Sequence, residues 1–311
     1  MSDGGPAVER DRREGLLALA AALRPELHRY CARLMGSVID GEDVVQDTFA
    51  RAFVALDELC EVPQLRPWLF RIAHNRALDL LRSRAVRAAE PIEAALEIAD
   101  DSKAGPVETL MRKEAIETAV SRFAELPVNQ RSVIILKDVL DEPLAGIATL
   151  LGISVDAVKA HLARGRARLR RINAEADPLP NARIASAAVV RYIALFNQHD
   201  WDGLRALLAD DVRLQQSMHP PRSGAADVGM FFTIYAKSEG LWLRPAWVEG
   251  REVIAVFEDR AATKPSHFMW LEWREGRISF IRDYRYVGYV ADDAGLVLAR
   301  EAGSFGRGAG R

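Results

Sequence analysis

Apolar residues recur at helical spacing through residues 15–87, and the alternation typical of strands is absent there. In "DGEDVVQDTFARAFVAL" (40–56), Val44, Val45, Phe49 and Phe53 form a stripe, with Asp40, Glu42, Asp43 and Asp47 around it. Asp40 as N-cap with Asp43 three residues on reads as a helix start, and acids in the first turn suit the helix dipole. In "LRPWLFRIAHNRALDLLRSR" (65–84), Arg71, Asn75, Leu78, Asp79 and Arg82 share one face, while Trp68, Leu69, Ile72 and Ala73 lie around the others. Helical spacing returns at 112–173, punctuated by Pro127, "DEP" (141–143) and Gly152. From about residue 241 the pattern changes. "LWLRPAWV", "EVIAVFED", "HFMWLEW" and "ISFIRDYRYVGYV" are rich in aromatic and β-branched residues and are separated by Gly or charged turns. Two helices, "SAAVVRYIALFNQ" and "WDGLRALLA", precede them, which predicts an α+β domain with an antiparallel sheet.

These patterns divide the chain into an unstructured tail (1–14), a helical domain (15–87), a linker (88–111), a second helical domain (112–174), a Pro-rich linker (175–182), an α+β domain (183–291) and a flexible tail (292–311). The first linker is acidic and broken by Pro91, Gly105 and Pro106; the second, "EADPLPNA", has two prolines unfit for a helix interior. The tail "REAGSFGRGAGR" is too rich in Gly to fold alone.

Composition narrows the class only modestly. The chain has 311 residues, is 49% hydrophobic and 28% charged, and has a formal net charge of −2, as expected of a globular protein of two or three domains. No apolar run approaches the ~20 residues of a membrane span, and "MSDGGPAVERDRREG" has no apolar core of a secretory signal. A cytoplasmic location is expected. Cys31 and Cys60, the only cysteines, suit a reducing compartment and exclude a zinc site made of cysteines; a Cys31–Cys60 disulfide is the disfavoured reading. No residue set calls for a cofactor or a metal.

The distribution of charge is more informative. Residues 66–87 carry six arginines against Asp79 alone, and Lys159 to Arg171 carry six basic side chains and no acidic one. Two basic segments separated by an acidic linker suggest two contacts with one polyanion. The second lies in "PLAGIATLLGISVDAVKAHLARGRARLRR". Ile147, Leu150 and Leu151 give a first helix its apolar face, Gly152 fits a left-handed cap, and Ser154 is a good N-cap for the next helix. Val158, Leu162, Gly165 and Leu169 of that helix point back at the domain. Ala160, Ala163 and Ala167 lie opposite, flanked by Lys159, Arg164, Arg170 and Arg171. Small residues let a helix sit deep in a major groove while long cations reach phosphates. A solvated face would more often mix Glu with Lys. This is a DNA-binding helix-turn-helix.

"EDVVQDTF", "WLFRIAHNRALDLLR" and "LPVNQRSVIILKDVLDEPLAGIATLLGISVDAVKAHLARGRARL" closely resemble, in order and spacing, the sigma-70 family of bacterial transcription initiation factors, specifically its small extracytoplasmic-function group. The resemblance covers region 2 (about 20–87) and region 4 (about 113–172). It implies a subunit that binds RNA polymerase core and directs promoter recognition. Asp43, Gln46, Asp47 and Phe49 would dock on the clamp helices of the β′ subunit, and region 4 on the β flap. The loop near 58–66, with Asn75 and Asp79, would capture a base flipped from the −10 element. Arg71, Arg76, Arg82 and Arg84 would hold the strand backbone. Lys159, Ala160, Ala163, Arg164 and Arg166 would meet the −35 element, with Lys137 on a nearby phosphate. "PLAGIA", Ala160, Ala163 and "RGR" depart from the usual pattern, which bears on the promoter sequence.

"VVRYIALFNQHDWDGLRALLADDVRL" (189–214) resembles the opening of SnoaL-like domains of the nuclear transport factor 2-like superfamily, implying a cone-shaped curved sheet covered by helices. Some members act as cyclases or isomerases through an Asp and a His. The candidates for a pocket here are His219, His267, Trp270 and Asp283, with Tyr284 nearby in sequence, and a small molecule or a regulatory protein is the expected partner of this domain. Two rivals to a sigma factor are a plain helix-turn-helix activator and a SnoaL-like enzyme fused to a DNA-binding module. The first leaves the region 2 resemblance unexplained.

Overall fold

The computed structural model describes residues 6–58, 64–88, 115–116, 118–175 and 183–300. The linker expected at 88–111 falls almost wholly outside these, as do 176–182, the tip of each terminus and Cys60. The chain divides into two compact units, Met1–Ala176 and Asp177–Arg311. Among the described residues no single helix is long and apolar enough to cross a membrane.

In the first unit, helices α1 (Pro6–Met35), α2 (Val38–Glu58) and α3 (Leu65–Ala88) pack together. The tail expected over 1–14 is largely helix instead. Pro6 suits a helix start, and the following Ala, Glu, Arg and Leu residues are strong helix formers. The N-cap of α2 is Ser37 rather than Asp40: its Oγ accepts from Asp40 N–H at 3.1 Å. At the α1–α2 crossing a Cβ on Gly41 would stand 2.5 Å from both N and Cα of Ala32, so only glycine permits this approach.

A 3₁₀ turn (Val120–Glu125) then leads to α4 (Val128–Ile134), a π-turn (Ile135–Val139), α5 (Leu144–Leu151) and α6 (Val155–Ala174). The two helical regions, expected as separate domains, share one hydrophobic core. It runs from Leu27 and Phe70 through Phe123 and Ile134 to Leu169. The end of α1 packs directly on the 3₁₀ turn, which the sequence patterns of the two halves could not reveal.

The second unit holds α7 (Ala187–Asn197), α8 (Trp201–Ala206), β1 (Leu208–Gln216), β2 (Arg222–Ser223), α9 (Ala225–Ala236), β3 (Trp242–Val248), β4 (Arg251–Phe257), β5 (His267–Arg274), β6 (Arg277–Asp283), α10 (Tyr289–Asp292) and β7 (Val297–Leu298). The strand order is β2-β1-β6-β5-β4-β3-β7. The sheet is mixed rather than antiparallel throughout, because β1 pairs with β6 in parallel. The domain also outlasts its expected end at 291: the apolar "LVLA" run supplies β7, which pairs with the edge of β3. One sheet face, with Leu214, Leu243, Ile254, Met269 and Ile281, packs on Tyr192, Phe196, Phe231 and Phe232 of α7 and α9.

Candidate nucleic-acid interface

α5 and α6 meet at 101°, the angle of a helix-turn-helix. Local chemistry fixes the turn. Gly152 is left-handed (φ 68°), and Ser154 Oγ accepts from Ala157 N–H at 3.1 Å. Val158, Leu162, Gly165 and Leu169 are all buried. A Cβ on Gly165 would stand 2.6 Å from Ile134 Cδ1, so the "RGR" departure lets α6 lie close on α4. Lys159, Ala167, Arg168, Arg170 and Arg171 are exposed, and Ala160 and Ala163 leave a shallow centre between them. Lys159 makes only an exposed 3.4 Å contact with Asp156. Arg164 is half-buried with Nη2 3.4 Å from His161 Nδ1; burial first, and then this guanidinium, lowers the His161 pKa.

Arg166 occupies a different place from the one the resemblance implies. Its Nε and Nη2 grip both oxygens of Asp138, at 2.9 and 2.5 Å, and that carboxylate is only 2% exposed. The pair bolts α6 to the π-turn rather than presenting a cation to DNA. Lys137 is mostly covered and lies 3.5 Å from Asp141.

On α3, Arg71, Asn75, Asp79 and Arg82 are exposed along one face, and Trp68 is half-buried against the core. Arg76 is drawn away from this face to Asp47 (2.6 Å), as is Arg84 to Asp40 (2.7 Å). Beneath the face, His74 Nδ1 meets Tyr30 Oη at 2.7 Å, and burial, followed by the nearby Arg82 charge, holds the ring neutral with a pKa of about 4. On α2, Asp43, Gln46 and Asp47 are half-buried, but Phe49 is 5% exposed and belongs to the core. It cannot meet a partner as expected, because it lies on the apolar stripe that packs α2. Among the described residues of that helix, the exposed large apolar ones are Phe53 and Val54.

The second unit contains a buried polar cluster. Asp283 accepts from Gln216 Nε2 (2.7 Å), Tyr235 Oη (3.2 Å) and Arg285 N–H (3.1 Å). Tyr235 Oη also lies 2.9 Å from His267 Nε2, and Ser266 Oγ lies 2.9 Å from His267 Nδ1. Burial pushes the Asp283 carboxyl up to about 6 despite these donors, and burial with the Arg285 charge pulls His267 down to about 3. Of the five residues singled out for a pocket, Asp283 and His267 face this cluster. Trp270 lies one strand residue out of phase with Met269, so its ring is on the other sheet face with Phe280 and Arg251. Tyr284 packs on Phe268, and His219 is an exposed residue against Tyr286. Gln216, Tyr235 and Arg285 carried no signal in sequence; only the fold converges them.

Residues 19–87 match Sigma-70 region 2, residues 117–169 match Sigma-70 region 4, and residues 189–281 match the SnoaL-like domain. The extracytoplasmic-function RNA polymerase sigma factor SigG of Mycobacterium tuberculosis is 32% identical over 239 residues, covering 69% of this chain and 64% of that protein. SigM of the same species, also an extracytoplasmic-function RNA polymerase sigma factor, is 31% identical over 147 residues, 47% of this chain and 71% of SigM. The crystal structure of the extracytoplasmic-function sigma factor SigJ from that organism aligns with 22% identity and a TM-score of 0.34, covering 88% of this chain and 98% of SigJ. Two sigma regions in the right order, together with the 31% identity to SigM over 71% of its length, place the chain in the extracytoplasmic-function group of the sigma-70 family of RNA polymerase sigma factors.

Proposed function

We propose that this chain is a cytoplasmic promoter-specificity subunit of RNA polymerase, not an enzyme, whose SnoaL-like domain regulates it in cis. The observation that carries the reading is α6: a helix-turn-helix recognition helix with a shallow alanine centre ringed by exposed Lys159, Arg168, Arg170 and Arg171. In this reading α6 meets the −35 element. The exposed Arg71–Asn75–Asp79–Arg82 face of α3 meets the −10 strand, where stacking and phosphate contacts offset the few kcal/mol of base unstacking. Asp43 and Asp47 face the β′ clamp helices, and region 4 contacts the β flap. Run-off transcription with purified core polymerase tests this: a sigma factor yields a transcript alone, whereas an activator yields none without another sigma factor.

A second role for the SnoaL-like domain, binding a small molecule, is favoured by one observation, the buried Asp283–Tyr235–His267 cluster. Truncation after Asp177 tests the regulatory role. Equal transcription by both forms at equal protein levels, with and without cell extract, would remove it.

A further inference from the structure

The sheet of the second unit packs one face on α7 and α9, and its other face is built differently. Trp270 pairs with Arg282 and Glu272 with Phe280 across β5 and β6, Arg213 with Phe280 across β1 and β6, and Trp242 with Phe257 across β3 and β4. Alternation sets these residues opposite Met269, Ile281 and Leu243, which lie in the core. The middle of the second face, Ala255, Phe257 and Phe268, is buried. Three aromatic rings around it stay partly exposed, and an exposed arginine lies over each. Arg251 is 4.7 Å from the Trp270 ring, Arg213 is 5.6 Å from Phe280, and Arg260 is 4.8 Å from Trp242. None of these three arginines has an ion pair or a side-chain hydrogen bond among the described residues. Acids beside them in sequence are engaged elsewhere. Glu252 accepts from Ser186 N–H, Asp211 pairs with Arg274, and Asp259 accepts from the N–H groups of Ala261 and Ala262 at 2.6 and 2.8 Å.

The positive charge here comes from segregation, not from excess. Residues 183–300 hold fifteen basic and fifteen acidic side chains, yet this face sets Arg213, Arg244, Arg251, Arg274 and Arg282 against Asp211 and Glu272. An exposed guanidinium resting on a ring is weakly held, so a phosphate can take it, and the ring face it leaves can then stack a base. We propose that this sheet face binds single-stranded DNA, with bases stacked on Trp270, Phe280 and Trp242 and phosphates held by Arg251, Arg213 and Arg260. Trp270 and Trp242 stand four residues and two strands apart, about 17 Å, so one strand can cross the platform over several nucleotides. A duplex keeps its base faces inside the stack and offers the rings nothing. An acidic peptide would meet the cations and leave the rings without partners. The surface itself is independent of the sigma reading. Only the choice of DNA over RNA rests on that reading, since a chain that opens promoters works beside a melted DNA strand.

The experiment titrates a short fluorescein-labelled oligo-dT with the full chain and reads anisotropy across a salt series. Every chain carries Arg71→Ala and Arg82→Ala, so that the α3 face is weakened throughout. Adding Arg213→Ala with Arg251→Ala should weaken binding about tenfold and lower the salt slope by about 1.4, from two phosphate contacts at about 0.7 each on a single strand. Adding Trp270→Ala instead should weaken binding about tenfold with the salt slope unchanged, and Trp270→Phe should restore most of the loss. Circular dichroism confirms that each variant stays folded. Affinity unchanged by either the arginine pair or Trp270→Ala would overturn the proposal, as would displacement by poly-glutamate as effective as by unlabelled oligo-dT. Tighter binding of oligo-rU than of oligo-dT would overturn it in favour of RNA. A dimer in light scattering that these same substitutions abolish would overturn it in favour of a second copy of the chain. Absence of any run-off transcript from the unsubstituted chain would instead remove the sigma reading, while these titrations still decide the platform.

Discussion

Replacing His267 by glutamine should make the second unit more stable as pH falls from 6 toward 4, and replacing Asp283 by asparagine should make it less stable over the same range. The carboxyl of Asp283 titrates near 6 when folded against 3.8 when unfolded, because burial penalises its charge. Between those values the folded state binds the extra proton, so this residue lowers stability as pH rises, by about 1.4 kcal/mol per pH unit and about 3 kcal/mol in all. His267 works the other way. Its folded pKa is about 3 against 6.5, so its contribution is complete above 6.5 and is lost as pH falls, at a similar slope. Between about pH 4 and 6 the two slopes cancel in the native pair. Removing either partner exposes the other. Urea unfolding of the full chain followed by tryptophan fluorescence reads the right unit, since Trp201, Trp242, Trp247, Trp270 and Trp273 lie there and Trp68 alone lies in the first. His74 contributes equally to both variants and drops out of their difference. Parallel pH profiles for the two variants would refute the reasoning.

Gly41→Ala should destabilise the helical unit by about 2–3 kcal/mol, because the new Cβ meets Ala32 backbone; an unchanged thermal transition in circular dichroism would contradict the α1–α2 crossing. Asp138→Ala should cost about 2–3 kcal/mol by leaving the mostly buried Arg166 cation without its carboxylate, and Asp138→Ala/Arg166→Met should recover part of that loss in a double-mutant cycle. Arg164→Ala should weaken promoter binding by about 1–3 kcal/mol on cognate sequence if it reads a base; if it touches only phosphate, all sequences weaken alike and the salt slope falls by about one. Unaltered binding and salt dependence in titrations of labelled DNA would remove Arg164 from the interface.

Where local chemistry decides structure, the sequence was enough. Gly152 and Ser154 announce the turn between α5 and α6, and the spacing of Val158, Leu162, Gly165 and Leu169 announces the buried face. Reading failed where long-range pairing decides. Asp138 and Arg166 are 28 positions apart, and nothing near either one marks them as partners. Phe49 is more instructive, since the apolar stripe that defines α2 already assigned it to the core, against its proposed role on the surface. In the second unit α9 went unrecognised because "AADVGMFFTIYA" is apolar around much of its circumference, so no helical stripe stands out. β1 was missed because "LADDVRLQQ" has its exposed Asp210 and Asp211 side by side, which interrupts the alternation. Trp270 and Asp283 both suggested a pocket, but facing depends on strand register. Met269 pairs with Asp283, so the neighbouring Trp270 must point the other way.

The basic residues of the helical unit separate by what a phosphate would have to displace. Arg166 is held by two hydrogen bonds to a carboxylate that is 2% exposed, and removing it would leave that charge uncompensated in the interior. Arg76 and Arg84 are held at 2.6–2.7 Å by acids of α2, contacts that tie α3 to α2. Lys159 and Arg82 make only 3.4 Å contacts with acids three residues away on their own helices, with both partners more than half exposed. Such pairs are worth about 0–1 kcal/mol, so a DNA phosphate can replace the carboxylate at little cost. A chain with a formal net charge of −2 can therefore still bind a polyanion. In the helical unit Asp47, Asp40 and Asp138 hold Arg76, Arg84 and Arg166 in place, while α3 and α6 keep outward the cations that the polyanion can take.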